Sequence, residues 1–524
     1  MSIRVSFQPS GIDGGAPAGE LLLETARRLG ARIGASCGGR GKCRSCAIRL
    51  EGDHLPEASA PDREVFSAAE LESGWRRACQ TRISQSCRVH VSARTHGAAV
   101  MHGQAMTATR VGIAEPVAAS GLGLAVDLGT TNLAASLIDL ETGAVVAQAA
   151  LENPQAIYGG DVISRGGRAL RDPEAAGELR RLAVTAIAAL AHTVTGGRPE
   201  TVHHLAVVGN SVMQHLLLGL AVEGLVKAPY RPLLSEAHDR PAEDFGLAPG
   251  ARLHVGPNIA GFVGSDHVAA LLDVLDSEPQ GCWALLDIGT NTEISLFRDG
   301  RLVSASCPSG PAFEGGALTC GMRAAPGAVE RVRIHGDRAD FGVIGDADPV
   351  GLCGSGVLSL MAELRKAGIV DRRGRLGGDH PLVRERGHVR EVVLAGEAET
   401  GGPPVTFTQA DIRNVQLAKA AIRAGLDLML EHEGIGPAAL DRVLVAGAFG
   451  KYIDLGDAVA IGMLPDLEAG RFSQLGNAAG AGVGRMLACH GARRRAGEIA
   501  RTAHHLDLGA RPDFQKRFIA RMGL

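Results

Sequence analysis

The spacing of apolar residues changes period several times along the chain. Val5 and Phe7 alternate with polar neighbours and predict an opening strand. Leu21 to Leu29 has helical spacing, and Cys46 to Leu50 and Ile83 to Val91 read as strands. Residues 96–121 are rich in Ala, Gly, Thr and Met with little periodicity, and read as a linker. From Leu122 the pattern is regular. Leu122 to Val126 is an apolar strand with a hairpin partner over Leu133 to Asp139, and Asn153-Pro154-Gln155 breaks the pattern. Pro173 to Thr193 predicts a long helix with Asp172 as its N-cap, because proline at the first helical position loses no hydrogen bond. A strand over Val202 to Val208 ends at Gly209-Asn210, and a helix over Val212 to Leu220 follows.

The pattern repeats. Ala125-Val126-Asp127-Leu128-Gly129-Thr130-Thr131-Asn132 is similar to Leu285-Leu286-Asp287-Ile288-Gly289-Thr290-Asn291-Thr292, 160 residues later. Each copy is an apolar strand, an Asp, a Gly-Thr turn and a second strand. A duplicated hairpin at this spacing predicts two similar lobes facing one cleft.

Composition narrows the class. The 524 residues are 45% hydrophobic but only 3% aromatic, so the cores are built from Ala, Leu, Val and Ile. A net charge of −3 gives no case for nucleic-acid binding. The charge is uneven: residues 1–95 hold fourteen Lys/Arg against ten Asp/Glu. No leader with an apolar core and no run of about 18 apolar residues is visible, so the expectation is a cytoplasmic protein without a membrane partner.

Cys37, Cys43, Cys46 and Cys79 have the spacing x5, x2, x32 around Gly38-Gly39-Arg40-Gly41-Lys42. Four thiolates suit a two-iron cluster, and glycines let backbone N–H groups approach its sulfurs. The x5-x2 spacing resembles adrenodoxin-like [2Fe–2S] ferredoxins. Zinc is the rival, but a single Cys-x2-Cys with a third cysteine six positions upstream does not match a zinc knuckle. Cys87 is a rival ligand or a plain strand cysteine. Arg40, Lys42 and Arg44 are either a solvated face or a surface that favours the reduced cluster and an acidic donor.

In the duplicated motif a carboxylate at a strand end can hold Mg²⁺ through water, and a Gly-Thr turn can donate to phosphate. The pair resembles the two phosphate loops of the actin, sugar kinase and Hsp70 superfamily. Val443-Leu444-Val445-Ala446-Gly447-Ala448-Phe449-Gly450 resembles its adenosine loop. Cys353-Gly354-Ser355-Gly356 is either a ligand-facing helix start or a tight turn.

A ferredoxin followed by an actin-like ATPase resembles the reductive activators of corrinoid proteins. Asn153-Pro154-Gln155, Gly160-Asp161-Val162-Ile163-Ser164-Arg165, Gly209-Asn210-Ser211-Val212-Met213-Gln214-His215 and Gly261-Phe262-Val263-Gly264-Ser265-Asp266 carry that resemblance. So do Gly310-Pro311-Ala312-Phe313-Glu314-Gly315 and Gln416-Leu417-Ala418-Lys419-Ala420-Ala421-Ile422. The resemblance implies a multidomain chain of α/β and α+β type. It has a β-grasp [2Fe–2S] ferredoxin over 1–95 and a linker over 96–121. A two-lobed actin-like (RNase H-like) ATPase follows, with its first lobe in a middle domain over 122–206 and a C-terminal ATPase domain over 207–524.

The implied function is ATP-dependent one-electron reduction of Co(II) to Co(I) in the corrinoid protein of a methyltransferase system. The implied cofactors are the cluster, ATP and Mg²⁺. The donor would be a low-potential ferredoxin, flavodoxin or reductase, and the assembly a homodimer. Cys37, Cys43, Cys46 and Cys79 would hold the cluster, with Asp127, Asp287 and Glu314 catalytic. Gly129, Thr130, Thr131, Asn132, Gly289, Thr290, Asn291, Asn210, Gly447 and Gly450 would face the nucleotide. His215 reads as a helix-surface histidine. The first loop has Asn132 where a third Thr is common in the family, and the chain lacks the added C-terminal cysteine clusters of some activators. The rival functions are a redox-sensing ATP-binding regulator and a small-molecule kinase fused to a ferredoxin.

Overall fold

The computed structural model describes residues 2–524 apart from Arg32, 35–38, Arg40, 42–45, 53–54, 92–109, 278–279, Gly402, 448–449 and Lys451. The chain forms two compact units. One takes Met1–Ala98, Ala156–Asp161 and Pro311–Val415, and the other takes Ala99–Gln155, Val162–Gly310 and Gln416–Leu524.

The first unit opens with a mixed sheet of β1 (Ser2–Gln8), β2 (Ile12–Pro17), β3 (Ala47–Glu51), β4 (Trp75–Arg77) and β5 (Cys87–Val91), in the order β2-β1-β5-β3-β4. β1 pairs antiparallel with β2 and parallel with β5, which makes the β-grasp pattern. Helix α1 (Leu22–Leu29) buries Leu22, Leu23 and Ala26 with Val5, Phe7, Ile48 and Val89. Gly30, at φ 79°, ends it, as left-handed backbone favours glycine. The last strand begins at Cys87, four residues after the predicted start. Ile83 is buried earlier, with its N–H donating to the Glu20 carbonyl at 2.9 Å.

The second unit contains two sheets of matching topology. The first lobe has β6 (Leu122–Leu128), β7 (Asn132–Asp139) and β8 (Val145–Glu152), then α2 (Val162–Arg171) and α3 (Pro173–Val194). Next come β9 (Val202–Gly209), α4 (Ser211–Leu218), β10 (His238–Pro241), β11 (Arg252–Val255) and α5 (Ser265–Ser277). The second lobe starts with β12 (Trp283–Ile288), β13 (Thr292–Arg298) and β14 (Arg301–Cys307). The sheet orders are β10-β11-β9-β6-β7-β8 and, counting strands after residue 415, Phe472–Gly476, Arg442–Ala446, β12-β13-β14, His504–His505. In both, an antiparallel three-strand meander is extended from its first strand by parallel strands. The repeated motif is thus the hairpin of a repeated RNase H-like sheet. Residues 206 and 207 lie inside β9, so the first sheet continues beyond them to β10 and β11.

Local chemistry accounts for the element ends. Asp172 accepts from the N–H groups of Glu174 and Ala175 and caps α3, with Pro173 in its first turn. The helix expected from Val212 starts at Ser211, because Asn210 caps it at Val212 N–H (3.0 Å), and stops where Gly219 turns at φ 70°.

Within the first unit, β15 (Ala328–His335), β16 (Arg338–Val343) and β17 (Gly351–Leu352) form one small sheet beside α6 (Gly354–Lys366). β18 (Val383–Arg386), β19 (Val389–Ala395) and β20 (Val405–Thr408) form another. Gly356 lies against this packing: a Cβ there would stand 2.0 Å from the Val329 carbonyl oxygen. The Gly354-Ser355-Gly356 turn therefore serves close helix–strand packing.

α7 (Gln409–His432) leads into β21 (Arg442–Ala446), β22 (Phe472–Gly476), α8 (Ala478–Ala488), α9 (His490–Thr502), β23 (His504–His505) and α10 (Phe514–Ala520). α5 and α8 follow the last parallel strand of each lobe and pack together. A Cβ on Gly482 of α8 would lie 1.9 Å from the Ala269 carbonyl oxygen of α5. Residues 110–118 are held to the second unit. The Val111 N–H donates to Gly143 at 2.8 Å, Val117 N–H to Ala488 at 3.0 Å, and Glu115 accepts from His490 N–H at 2.8 Å. Residues 92–109, the first half of the predicted linker among them, lie outside the described residues. Among the described residues no helix is long and apolar enough to cross a membrane.

Gly482→Ala forces α5 and α8 apart. We expect a loss of about 1–3 kcal/mol, read as a lower denaturant midpoint, and weaker nucleotide binding because both lobes meet at this crossing.

Candidate functional site

Within the ferredoxin domain the Sγ atoms of Cys46 and Cys79 are 3.4 Å apart, and both cysteines are buried. Cys46 immediately precedes β3, and Cys79 follows β4, its antiparallel neighbour. The Gln80 side-chain amide points at Cys79 Sγ from 3.5 Å. Gly39 and Gly41 have φ of 81° and 68°, which L side chains rarely adopt. Cys37 and Cys43 lie outside the described residues, as do Gly38, Arg40, Lys42 and Arg44. The described half of the ligand set fits a cluster: two buried thiols side by side, with donors and left-handed glycines around them. Cys87 opens β5, and burial raises its thiol.

One support of this loop was missed in the sequence. Arg77 Nε donates to Asp62 Oδ1 at 2.8 Å, and both side chains are 1% exposed. The same guanidinium donates to the Gly41 carbonyl. A buried pair therefore ties the cysteine loop to the residue two before Cys79. Nothing in the sequence pairs Asp62 with Arg77, since they are linked only through the helix and strand that carry them.

The two phosphate loops meet within the second unit. Thr131 Oγ1 and Thr290 Oγ1 are 3.4 Å apart. Gly129 sits where a Cβ would be 2.6 Å from the Asn132 carbonyl oxygen, so the turn is closed to larger residues. Asn132 Oδ1 is buried with no hydrogen-bond partner among the described residues. Gly289 N–H donates to the Asn291 carbonyl at 3.1 Å, closing the second turn.

Four carboxylates gather behind these loops. Burial pushes Asp127 up to about 8, with repulsion from Asp266 and Asp287 adding and a hydrogen bond from Asn477 opposing. Burial, then Asp266, pushes Asp287 up to about 7. Asp266 rises to about 6 through burial, against backbone N–H bonds that include His267 N–H at 2.8 Å. Burial, then Asp266 and Asp287, holds Glu293 well above the usual carboxylate range. The three aspartates still touch solvent, as side chains on a cleft wall do. Asp287 and Glu293 are directly opposite across β12 and β13, an arrangement that like charges destabilise.

Asp266, Glu293 and Asn477 were not among the residues nominated from sequence. Asn477 caps α8 through Oδ1 to Gly480 N–H (2.7 Å). Glu293 had a readable signal, because six residues after Asp287 a two-strand hairpin returns to the same position.

Among the described residues no three His, Cys, Asp or Glu side chains converge as a closed metal cage would require. Mg²⁺ requires no such cage: it keeps several waters and takes one or two carboxylates plus phosphate oxygens. The four repelling carboxylates beside two donor loops fit that mode.

Gly447 turns at φ 93° after β21, and a Cβ there would stand 2.9 Å from Asp287 Oδ1. A Cβ on Gly450 would be 2.5 Å from the Ala446 carbonyl oxygen, while Ala448 and Phe449 lie outside the described residues. Asn210 is buried and its oxygen is engaged as the cap of α4. Glu314 belongs to the first unit and ends a 3₁₀ turn. His215 corrects the surface expectation. It is fully buried, its Nδ1 bonds the Ser211 carbonyl at 2.7 Å, and its Nε2 accepts from Leu233 and Leu234 N–H at 3.1 and 3.2 Å. The Leu233 and Leu234 amides needed an acceptor there, which helical periodicity does not reveal.

An iron–sulfur fold and a duplicated phosphate site on one chain define an iron–sulfur protein of the actin-like ATPase class. Residues 8–84 match the 2Fe-2S iron-sulfur cluster binding domain, a match that ends before Cys87. Residues 122–275 match the RACo middle region, and 282–524 the C-terminal domain of RACo, the ASKHA domain. The chain is 33% identical over 413 residues to the corrinoid activation enzyme RamQ of Eubacterium limosum, covering 76% of this chain and 69% of RamQ. It is 27% identical over 391 residues to the Co(II) methylated amine-specific corrinoid protein reductase of Methanosarcina barkeri, covering 68% of each. A solved reductive activator for corrinoid, iron-sulfur protein superposes with a TM-score of 0.72 and 27% identity, over 100% of this chain and 98% of that one. The chain belongs to the family of reductive activators of corrinoid proteins.

Two outcomes follow from the geometry. Asp62→Ala leaves Arg77 buried without its carboxylate. It should cost about 3–5 kcal/mol and lower cluster content, read as visible absorbance per protein after reconstitution. The raised carboxyls take up protons on folding, so their contribution to stability is full below the unfolded value of 3.8 and is lost as pH rises through about 6 to 8. The metal-free protein should lose melting temperature over that window. Asp127→Asn should flatten the loss, and Mg²⁺ with nucleotide should reverse it at pH 8.

Proposed function

We propose that this protein uses ATP to drive one-electron reduction of Co(II) to Co(I) in the corrinoid protein of a methyltransferase system. The observation that carries the reading is the meeting of Thr131 and Thr290 between two Asp-x-Gly-Thr loops, on a chain that also places two buried thiols side by side in a β-grasp fold. The overall reaction moves one electron from a low-potential donor to Co(II), and hydrolyses ATP to ADP and inorganic phosphate. When bound, a [2Fe–2S] cluster supplies the one-electron relay.

The chain's own residues then have definite tasks. Cys37, Cys43, Cys46 and Cys79 hold the cluster, and the glycines between them admit backbone N–H groups to its sulfurs. Thr130, Thr131, Thr290 and Asn291 donate to phosphate oxygens. Asp127 and Asp287 hold Mg²⁺, directly or through water, with Asp266 and Glu293 sharing its charge. Gly447 and Gly450 keep the space for adenosine free of side chains. The donor is a low-potential ferredoxin, flavodoxin or reductase, the working assembly a homodimer, and the compartment the cytoplasm.

The test is anaerobic visible spectroscopy of a Co(II) corrinoid protein with this protein and a low-potential reductant, with and without Mg-ATP. Co(I) should grow only with ATP. Cys43→Ala and Asp127→Ala should each lower that rate by at least about 10²-fold. Intact cluster and bound ATP with no Co(I) from several corrinoid partners would favour the sensor. Phosphorylation of a small hydroxyl substrate would favour the kinase.

A further inference from the structure

Each phosphate loop is tied down by a residue that stands just before the chain leaves the nucleotide-binding unit. In the first copy this is Asn153, directly after β8 and fully buried. Its Nδ2 donates to the Gly129 carbonyl at 2.8 Å, and its N–H donates to the Thr131 carbonyl at 2.9 Å. In the second copy Ser309, shortly after β14, donates from Oγ to the Gly289 carbonyl at 3.0 Å. The next residue, Gly310, donates its N–H to the Thr290 carbonyl at 2.9 Å. The chain then crosses. Ala156–Asp161 and Pro311–Val415 belong to the unit that contains the ferredoxin domain. Each crossing is marked by a proline and a 3₁₀ turn, Pro154–Tyr158 and Ala312–Glu314.

Within the ferredoxin unit, α1 grips the first crossing. The Arg27 guanidinium lies 5.4 Å from the centroid of the Tyr158 ring, and it donates to the Ile157 carbonyl. On the same helix, Leu23 N–H donates to the carbonyl of Ala78, next to Cys79, at 3.1 Å. The Leu23 side chain also lies against the cysteine loop, 3.7 Å from where a Cβ on Gly39 would stand. A short run of bonds thus connects the Gly129 carbonyl to the neighbour of a cluster cysteine.

We propose that the paired crossings, and first of all the Asn153–Tyr158 turn, carry the nucleotide state of the phosphate loops to the ferredoxin domain. Asn153 acts as a positioning residue and Arg27–Tyr158 as the grip. A loop that settles on phosphate moves or stiffens the Gly129 and Thr131 carbonyls, and Asn153 holds both. Pro154 fixes its own φ, so displacement of Asn153 passes into the turn rather than being absorbed. Both sites then bias one physical element, as coupling requires. The inference rests on reading the loops as a nucleotide site.

The test is hydrogen exchange by mass spectrometry on the full, cluster-loaded chain, with and without Mg²⁺ and a non-hydrolysable ATP analogue. Exchange over residues 22–29 should slow about tenfold with nucleotide, together with the loop around 129–131. Tyr158→Ala and Arg27→Ala should keep the loop effect and lose the effect on 22–29, while Tyr158→Phe, which keeps the ring, should behave as the parent. Tyr158→Ala should also keep ATP hydrolysis and cluster absorbance but lose most ATP-driven Co(I) formation. Asn153→Ala should raise the KM for Mg-ATP with the cluster spectrum unchanged. Nucleotide-dependent slowing at 22–29 that persists in Tyr158→Ala, or its absence in the parent, would overturn the inference. Slowing at 22–29 without Co(I) from any corrinoid partner would support it while removing the activator reading.

Discussion

Repulsion among Asp127, Asp266, Asp287 and Glu293 is the constraint on which the nucleotide-binding unit turns. Burial raises all four; Asp266 raises the other three further, and Asp287 adds to Asp127 and Glu293. Such a cluster is stable only if protonated or if a cation sits beside it. The fold meets the cost with elements that cannot relax: apolar strands that carry Asp127 and Asp287, a helix cap that also bonds Asp127, and the α5–α8 crossing. That crossing requires Gly482, and the Asp266 backbone opens one of its two helices. Such a charge arrangement fits the proposed Mg²⁺ and phosphate site.

The two copies are not equal partners in this. Asp127 faces Ala134 across its hairpin, whereas Asp287 faces Glu293. The second copy therefore carries the larger share of negative charge, and the first supplies the looser wall. Their anchors differ too, an asparagine amide on Gly129 and a serine hydroxyl on Gly289. The two copies thus share a topology and a pair of anchoring bonds but differ in charge.

Much of this was legible before any coordinates. The repeat appeared because an apolar strand, an Asp and a Gly-Thr turn leave a local imprint, and β6–β7 and β12–β13 fall on it. The cysteine spacing carried the resemblance to [2Fe–2S] ferredoxins for the same reason, and Asp172 and Pro173 marked a helix start by chemistry confined to one turn. What stayed hidden is non-local. Asp62 finds Arg77, Asn477 reaches Asp127, and His215 serves two amides eighteen and nineteen residues away, all through tertiary placement. The late start of β5 has the same origin: Ile83 is apolar enough for a strand, but its N–H is taken by the Glu20 carbonyl beside the isolated Leu21–Arg82 bridge.

The path of the chain also bears on how a redox domain and an ATPase cooperate. Two modules on a flexible tether would share only a local concentration. Here the chain passes between the two units at residues 98–99, 155–156, 161–162, 310–311 and 415–416. Residues 110–118 are hydrogen-bonded to the nucleotide-binding unit, so they do not act as free tether. Two of the remaining passages begin at the residues that fix the phosphate loops. Asn153 and Gly310 are thus at once loop anchors and the approach to the other unit. The β-grasp fold itself lies wholly before the actin-like folds in the sequence, and only the later segments 156–161 and 311–415 return to its unit.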